Sequence, residues 1–175
     1  MNTKQRLTLV LGLFLVMVSC SEVQKQVAID ELIGTYKGIP VVVFEWSKLN
    51  IGMEDQHVEN EKAEYVIISK DSKDNLFIKF DDETVFKMNN INMAKNGAVF
   101  NIPKQKVYFK SEEFSSEGYI SGLSENYFGE SRCDGIFDSE TNKLSFSFSG
   151  TLKMKQYGET YNVPIAVGYY ELEKQ

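Results

Sequence analysis

His57 is the only histidine of the chain, and Cys20 and Cys133 are its only cysteines, so few residues could run nucleophilic catalysis. A serine or cysteine hydrolase of the usual kind needs a histidine beside its nucleophile. His57 stands among Asp55, Gln56, Glu59 and Glu61, a polar run that reads as a solvated loop, and nothing in the spacing ties it to Cys133 or to a serine. One histidine and no spare cysteine pair also make a poor zinc ligand set, so no zinc is expected. Carboxylates are plentiful at Asp81, Asp82 and Glu83, at Glu112 and Glu113, and at Asp138 with Glu140. Glycosidase carboxylates are brought together by folding and cannot be recognised as sequence neighbours. Oxygen ligands occur along Asp134-Gly135-Ile136-Phe137-Asp138-Ser139-Glu140, yet their spacing is not that of a calcium loop. Gly34 and Gly38 lie outside any Gly-x-x-x-x-Gly-Lys pattern. The expectation is a protein that is not an enzyme and needs no cofactor.

Cys20 has a different chemistry. Residues 7–20, Leu-Thr-Leu-Val-Leu-Gly-Leu-Phe-Leu-Val-Met-Val-Ser-Cys, form an apolar run behind Lys4 and Arg6, with the small residue Ser19 before the cysteine. Cations, an apolar stretch and a small residue make an export signal. The run is short for a membrane span, which takes roughly 20 apolar residues. Val16-Met17-Val18-Ser19-Cys20 resembles the lipobox of bacterial lipoproteins. That resemblance implies removal of residues 1–19, acylation of Cys20 as the lipid attachment site, and anchoring in the cell envelope at the outer membrane. Acyl chains bury methylenes at about 0.8 kcal/mol each, enough in number for stable anchoring.

Loss of residues 1–19 removes two of the 19 Lys and Arg and none of the 25 Asp and Glu, taking the net charge from −6 to −8. Such an acidic surface disfavours nucleic acid and anionic lipid as partners, since both are held by Lys and Arg. With Cys20 acylated, Cys133 has no disulfide partner in the chain, and burial is its expected fate.

The elements that must carry any site are strands. Residues 20–30 read as a lipidated tether, and residues 31–175 as one domain. From Ile33 onward, short Val-, Ile-, Phe-, Tyr- and Thr-rich segments are separated by Asp, Asn, Ser, Lys and Gly clusters, which predicts an all-β domain of about eight to ten strands. Between Lys143 and Met154, Leu144, Phe146, Phe148, Leu152 and Met154 share one face, with Gly150 among them, while Ser145, Ser147, Ser149 and Thr151 share the other. Tyr161–Leu172 alternates likewise, with Pro164 expected at an edge, a bulge or the strand start. Asp71–Asp74, Asp81–Glu83, Asn96-Gly97, Asp138–Asn142 and Gln156–Glu159 read as turns, with Asn96-Gly97 as a type I′ hairpin. Turns every 8 to 14 residues or so favour antiparallel meanders. Ser47–Lys62 reads as a long acidic loop, too polar for a core strand.

Ile33-Gly34-Thr35-Tyr36-Lys37-Gly38 and the passage Gly135-Ile136-Phe137-Asp138 through Leu144-Ser145-Phe146 resemble the opening strand and closing hairpin of calycin-like, or lipocalin-like, barrel domains of Gram-negative lipoproteins. The resemblance implies a single antiparallel up-and-down β-barrel. A small barrel either fills its interior with side chains or holds one small ligand. Tyr36, Phe44, Trp46, Tyr65, Phe80, Phe146 and Phe148 are the candidate ligand-binding residues among twelve Phe, nine Tyr and one Trp. Two functions are expected. One is a carrier or sensor of a small apolar or amphipathic ligand, with Ser47–Lys62 as the rim of its pocket. The other is a filled barrel that engages an envelope protein through its surface.

Overall fold

The computed structural model describes residues 26–27, 29–59, 62–80, 84–94, 96–110, 115–123, 132–156 and 158–175. The signal segment, Cys20 and the turn at Asp81–Glu83 lie outside the described residues, as do Glu112 and Glu113. The described strands are β1 (Gly34–Gly38), β2 (Pro40–Phe44), β3 (Gln56–Glu59), β4 (Glu64–Lys70), β5 (Leu76–Phe80), β6 (Val85–Lys87), β7 (Asn89–Ala94), β8 (Gly97–Asn101), β9 (Gln105–Lys110), β10 (Ser115–Gly122), β11 (Gly135–Asp138), β12 (Lys143–Gln156) and β13 (Glu159–Lys174).

All of them belong to one antiparallel sheet, whose main path runs β6-β5-β4-β1-β13-β12-β11-β8-β7. The two ends of that path, β6 and β7, are separated in sequence by Met88 alone, so the chain itself joins them. This makes a nearly closed barrel of nine strands. Several strands are halves of one longer pass: β1 and β2 break at Ile39, β6 and β7 at Met88, β8 and β9 around Pro103, and β10 and β11, on either side of residues 123–134, both pair with β12. β3 and β4 both flank the first pass, on the side away from β13. Taken this way, each pass pairs with the next in the chain and the last, β13, pairs with the first, through β1 and β2. The expected up-and-down meander is the observed one.

The alternation that predicted strands is what sorts the wall into two faces. In β4, Val66 and Ile68 are buried while Tyr65 and Ile67 are exposed; in β5, Leu76, Ile78 and Phe80 are buried and Lys79 is exposed. The inward set forms one continuous apolar core, which includes Tyr36, Phe86, Phe100, Phe137, Leu144, Phe146, Phe148, Ile165 and Tyr169. Leu32 is buried in this core and Ile29 packs against it, from a helical segment that precedes β1. The docked part of the chain thus begins within the span read as tether, because Ile29 and Leu32, just before β1, have apolar surface to cover.

Three local expectations change. Gly97, expected inside the Asn96-Gly97 turn, instead opens β8, where it pairs with Ala94. Gly97 has φ +137°, and a Cβ there would lie 2.0 Å from the Phe137 carbonyl oxygen, so the glycine serves cross-strand approach to β11. Within the stretch read as a loop from Ser47 to Lys62, residues Trp46–Leu49 begin a 3₁₀ turn and Gln56–Glu59 form β3, with Val43 opposite His57. A strand that pairs only with β2 needs no apolar run, because one edge and the outer face stay in water. Pro164 lies just past the last β2 pair, Ile165 with Phe44, and its carbonyl accepts from the Glu45 N–H at 2.9 Å. Its missing N–H therefore falls where the β2 ladder has already ended.

One bulge shapes the closing strand. On both sides of β13 the register slips by one residue between Tyr169 and Leu172. Glu171 takes φ +53° there, and its N–H donates to Ser145 Oγ at 2.8 Å. A bulge adds twist and bends a strand, as a curled wall requires.

Candidate functional site

The inward rings meet one another. Phe146 stacks on Tyr169 with centroids 4.8 Å apart and planes 18° from parallel. Phe80 lies 4.8 Å from Phe86, 5.5 Å from Tyr169 and 6.3 Å from Phe146. Phe148 meets Phe86 edge-on at 4.8 Å, and Phe100 completes the group at 6.4 Å from Phe146. Tilted and edge-to-face arrangements at these distances are the favourable ones for aromatic quadrupoles. Tyr36 is fully buried, meets Phe137 edge-on at 6.1 Å, and donates its hydroxyl to the Leu32 carbonyl at 2.6 Å. Burial pushes that hydroxyl far above the ordinary tyrosine range.

Of the seven residues expected in a pocket, Phe80, Phe146 and Phe148 are brought together, and Tyr36 joins the same core beside Phe137. Phe44 is half-buried at the end of β2 and packs against that core. Trp46 is buried, but its ring meets Tyr161 at 6.3 Å and stands apart from the main cluster. The inward placement of Tyr65 is corrected: its neighbour Val66 takes the inner face, so Tyr65 points outward, with the Lys37 ammonium 5.3 Å from its ring centre. Phe86 and Tyr169 belong to the ring cluster and were not singled out. Phe86 sits on a three-residue strand, too short for alternation to be read, although the buried Thr84, Phe86 and Met88 do alternate with Val85 and Lys87.

The outer face offers a second surface. On adjoining β9, β10 and β12, Tyr119 stands opposite Lys106 and Thr151, and Ser121 opposite Ser149. Tyr119 and Tyr108 are more than half exposed. Lys106 Nζ lies 2.6 Å from Glu117, and Lys106, then Lys153, hold that carboxyl below its usual range. A depression of about 370 Å³ on this face is lined by Lys104, Tyr119, Ile120, Ser121, Ser149, Gly150 and Thr151. Gly150 has a wall role here, since a Cβ on it would lie 2.8 Å from the Tyr119 carbonyl oxygen.

The chain matches no family model, no curated protein and no solved structure.

His57 and Cys133 do not form a catalytic pair. His57 is exposed on β3 and Cys133 is buried before β11, with β2, β13 and β12 between them in the sheet. Next to Cys133, Asp134 is 3% exposed and its carboxylate lies over Gly122, the last residue of β10. Its Oδ2 accepts from the Ile102 N–H at 2.7 Å and from Asn101 Nδ2 at 3.1 Å, while Oδ1 and the nearby Ser147 Oγ meet no hydrogen-bond partner among the described residues. Asp134 thus supplies an acceptor to a backbone N–H between β8 and β9, where the regular ladder is interrupted.

Proposed function

We propose that this is an exported lipoprotein of the calycin-like kind, anchored at the outer membrane through acylated Cys20, whose barrel is a filled scaffold and whose outer face is its binding surface. The reading is supported above all by one contrast. The rings that would line a pocket are spent on each other, whereas Tyr65, Tyr108, Tyr119 and Tyr170 are 40–56% exposed on the outside. Tyrosine is enriched at binding surfaces because it gives a large, stiff contact area with a polar tip. The acidic balance of the chain leaves nucleic acid out of this reading.

A carrier function has its own supporting observation. Val42, Phe44, Phe109 and Met154 are only partly buried and pack at the margin of the core. They offer an apolar rim on which a small ligand could rest.

Native mass spectrometry of the protein, taken gently from its own cell envelope, separates the two. The filled-scaffold function predicts the mass of the chain with its covalent acyl groups and no further molecule. A reproducible apolar adduct, lost on denaturation, overturns it in favour of the carrier.

A further inference from the structure

We infer that the depression over β10 and β12 binds an acidic saccharide, a sugar ring bearing a carboxylate. The inference rests on the outer face being the binding surface and gives that surface a ligand class.

The depression has three kinds of lining group, and each fits a different part of such a ligand. Its floor is a patch of hydroxyls: Ser121 and Ser149 are directly opposite across the β10–β12 ladder, and Thr151 follows two residues on, opposite Tyr119. A serine or threonine hydroxyl both donates and accepts, which suits the hydroxyls of a sugar. Its first wall is the Tyr119 ring, 56% exposed, an apolar plate with a polar tip that can lie against the C–H face of a pyranose. Lys104, also in the lining, supplies an ammonium that has no carboxylate within ion-pairing distance among the described residues. The volume of about 370 Å³ lies at the small end of ligand sites, which run from roughly 300 to 1,000 Å³.

Charge selects the acidic sugar over a neutral one. The chain as a whole carries −6, yet Lys104 stands in the lining of the depression, and the carboxylate of Glu117 on the same face is already paired by Lys106. A cation in the lining of a depression on an acidic protein marks where an anion is tolerated. The apolar side chains of the lining are Tyr119 and the buried Ile120, too little to hold a lipid chain or a greasy peptide. Gly150, paired with the buried Ile120, lets the two strands beneath the floor lie close together.

The test is isothermal titration of the full chain, solubilised in detergent, with a galacturonic acid trisaccharide and, in parallel, with its neutral galactose counterpart. Binding of the acidic sugar is expected, weakened by salt, with at least tenfold loss in Tyr119→Ala and in Lys104→Ala and none in the turn variant Lys73→Ala. Tyr119 and Lys104 are both exposed, so an unchanged melting temperature verifies that the variants fold. No binding at millimolar sugar, equal binding of the neutral sugar, or retention of binding in both variants overturns the assignment. Each of these results leaves the filled-scaffold function standing, because that function fails on an apolar adduct and not on a missing sugar.

Discussion

The ring of Phe146, from β12, lies nearly flat on that of Tyr169, from β13, with the Tyr169 hydroxyl donating to Glu64 Oε2 at 2.8 Å. Three passes of the chain thereby meet at one stacked pair inside the barrel. Phe146→Ala removes a ring that also faces Phe80 and Phe100. Chemical denaturation should show a loss of about 3–5 kcal/mol, the usual cost of opening such a cavity. A loss under about 1 kcal/mol would mean that the interior has room to spare and would favour the carrier.

Tyr36 links stability to alkaline pH. Its buried hydroxyl has a pKa raised above the ordinary value of about 10, so the folded state keeps a proton that the unfolded chain sheds. The contribution is complete below pH 10 or so and is lost as pH rises toward the folded-state value. Tyr36→Phe should cost about 1 kcal/mol at neutral pH, because the Leu32 carbonyl loses its donor. Its urea midpoint should also fall less than that of the parent between pH 9 and pH 11. Parallel curves for the two proteins would refute the linkage.

Asp134 predicts an order among substitutions. Asn keeps an acceptor for the Ile102 N–H and replaces a carboxylate whose second oxygen has no partner among the described residues; Ala leaves the N–H unmet. Asp134→Asn should therefore be more stable than Asp134→Ala by about 1–3 kcal/mol. Equal denaturation midpoints for the two would show that the hydrogen bond carries no weight.

Two glycines with positive φ should respond differently to alanine. Gly97→Ala drives a Cβ into the Phe137 backbone, whereas a Cβ at Gly158, φ +85°, meets open space. The Gly158 variant should lose only the conformational cost of about 1–2 kcal/mol, and the Gly97 variant distinctly more. Thermal melts of the pair decide it, and a Gly97 variant as stable as the Gly158 one contradicts the close approach of β8 to β11.

The proposed membrane anchor is tested at Cys20. Cys20→Ala should move the protein from the membrane fraction to the soluble fraction, because the acidic domain has no electrostatic hold on anionic lipid. Continued sedimentation with membranes after a high-salt wash would rule out acylation as the anchor.

Period-2 alternation settled the fold class from sequence alone. Leu144, Phe146 and Phe148 against Ser145, Ser147 and Ser149 can be satisfied only by a strand with one wet face, and turn clusters between such strands leave room for little but a meander. Alternation says which residues share a face, and it fails where strands are short or half-wet. Tyr65 reads as inward by residue type although Val66 and Ile68 claim that face, Phe86 sits on a three-residue strand, and the polarity of β3 hides it. Whether inward rings enclose a space or fill it is a property of distances between strands far apart in sequence. Phe80, Phe146 and Tyr169 come together only because β13 closes the sheet against β1 and β2. The depression floored by Ser121, Ser149 and Thr151 exists likewise through the register of β10 on β12. Local pattern thus determined strands and faces, while closure and register, which are sums over long-range pairings, decided what each face could hold.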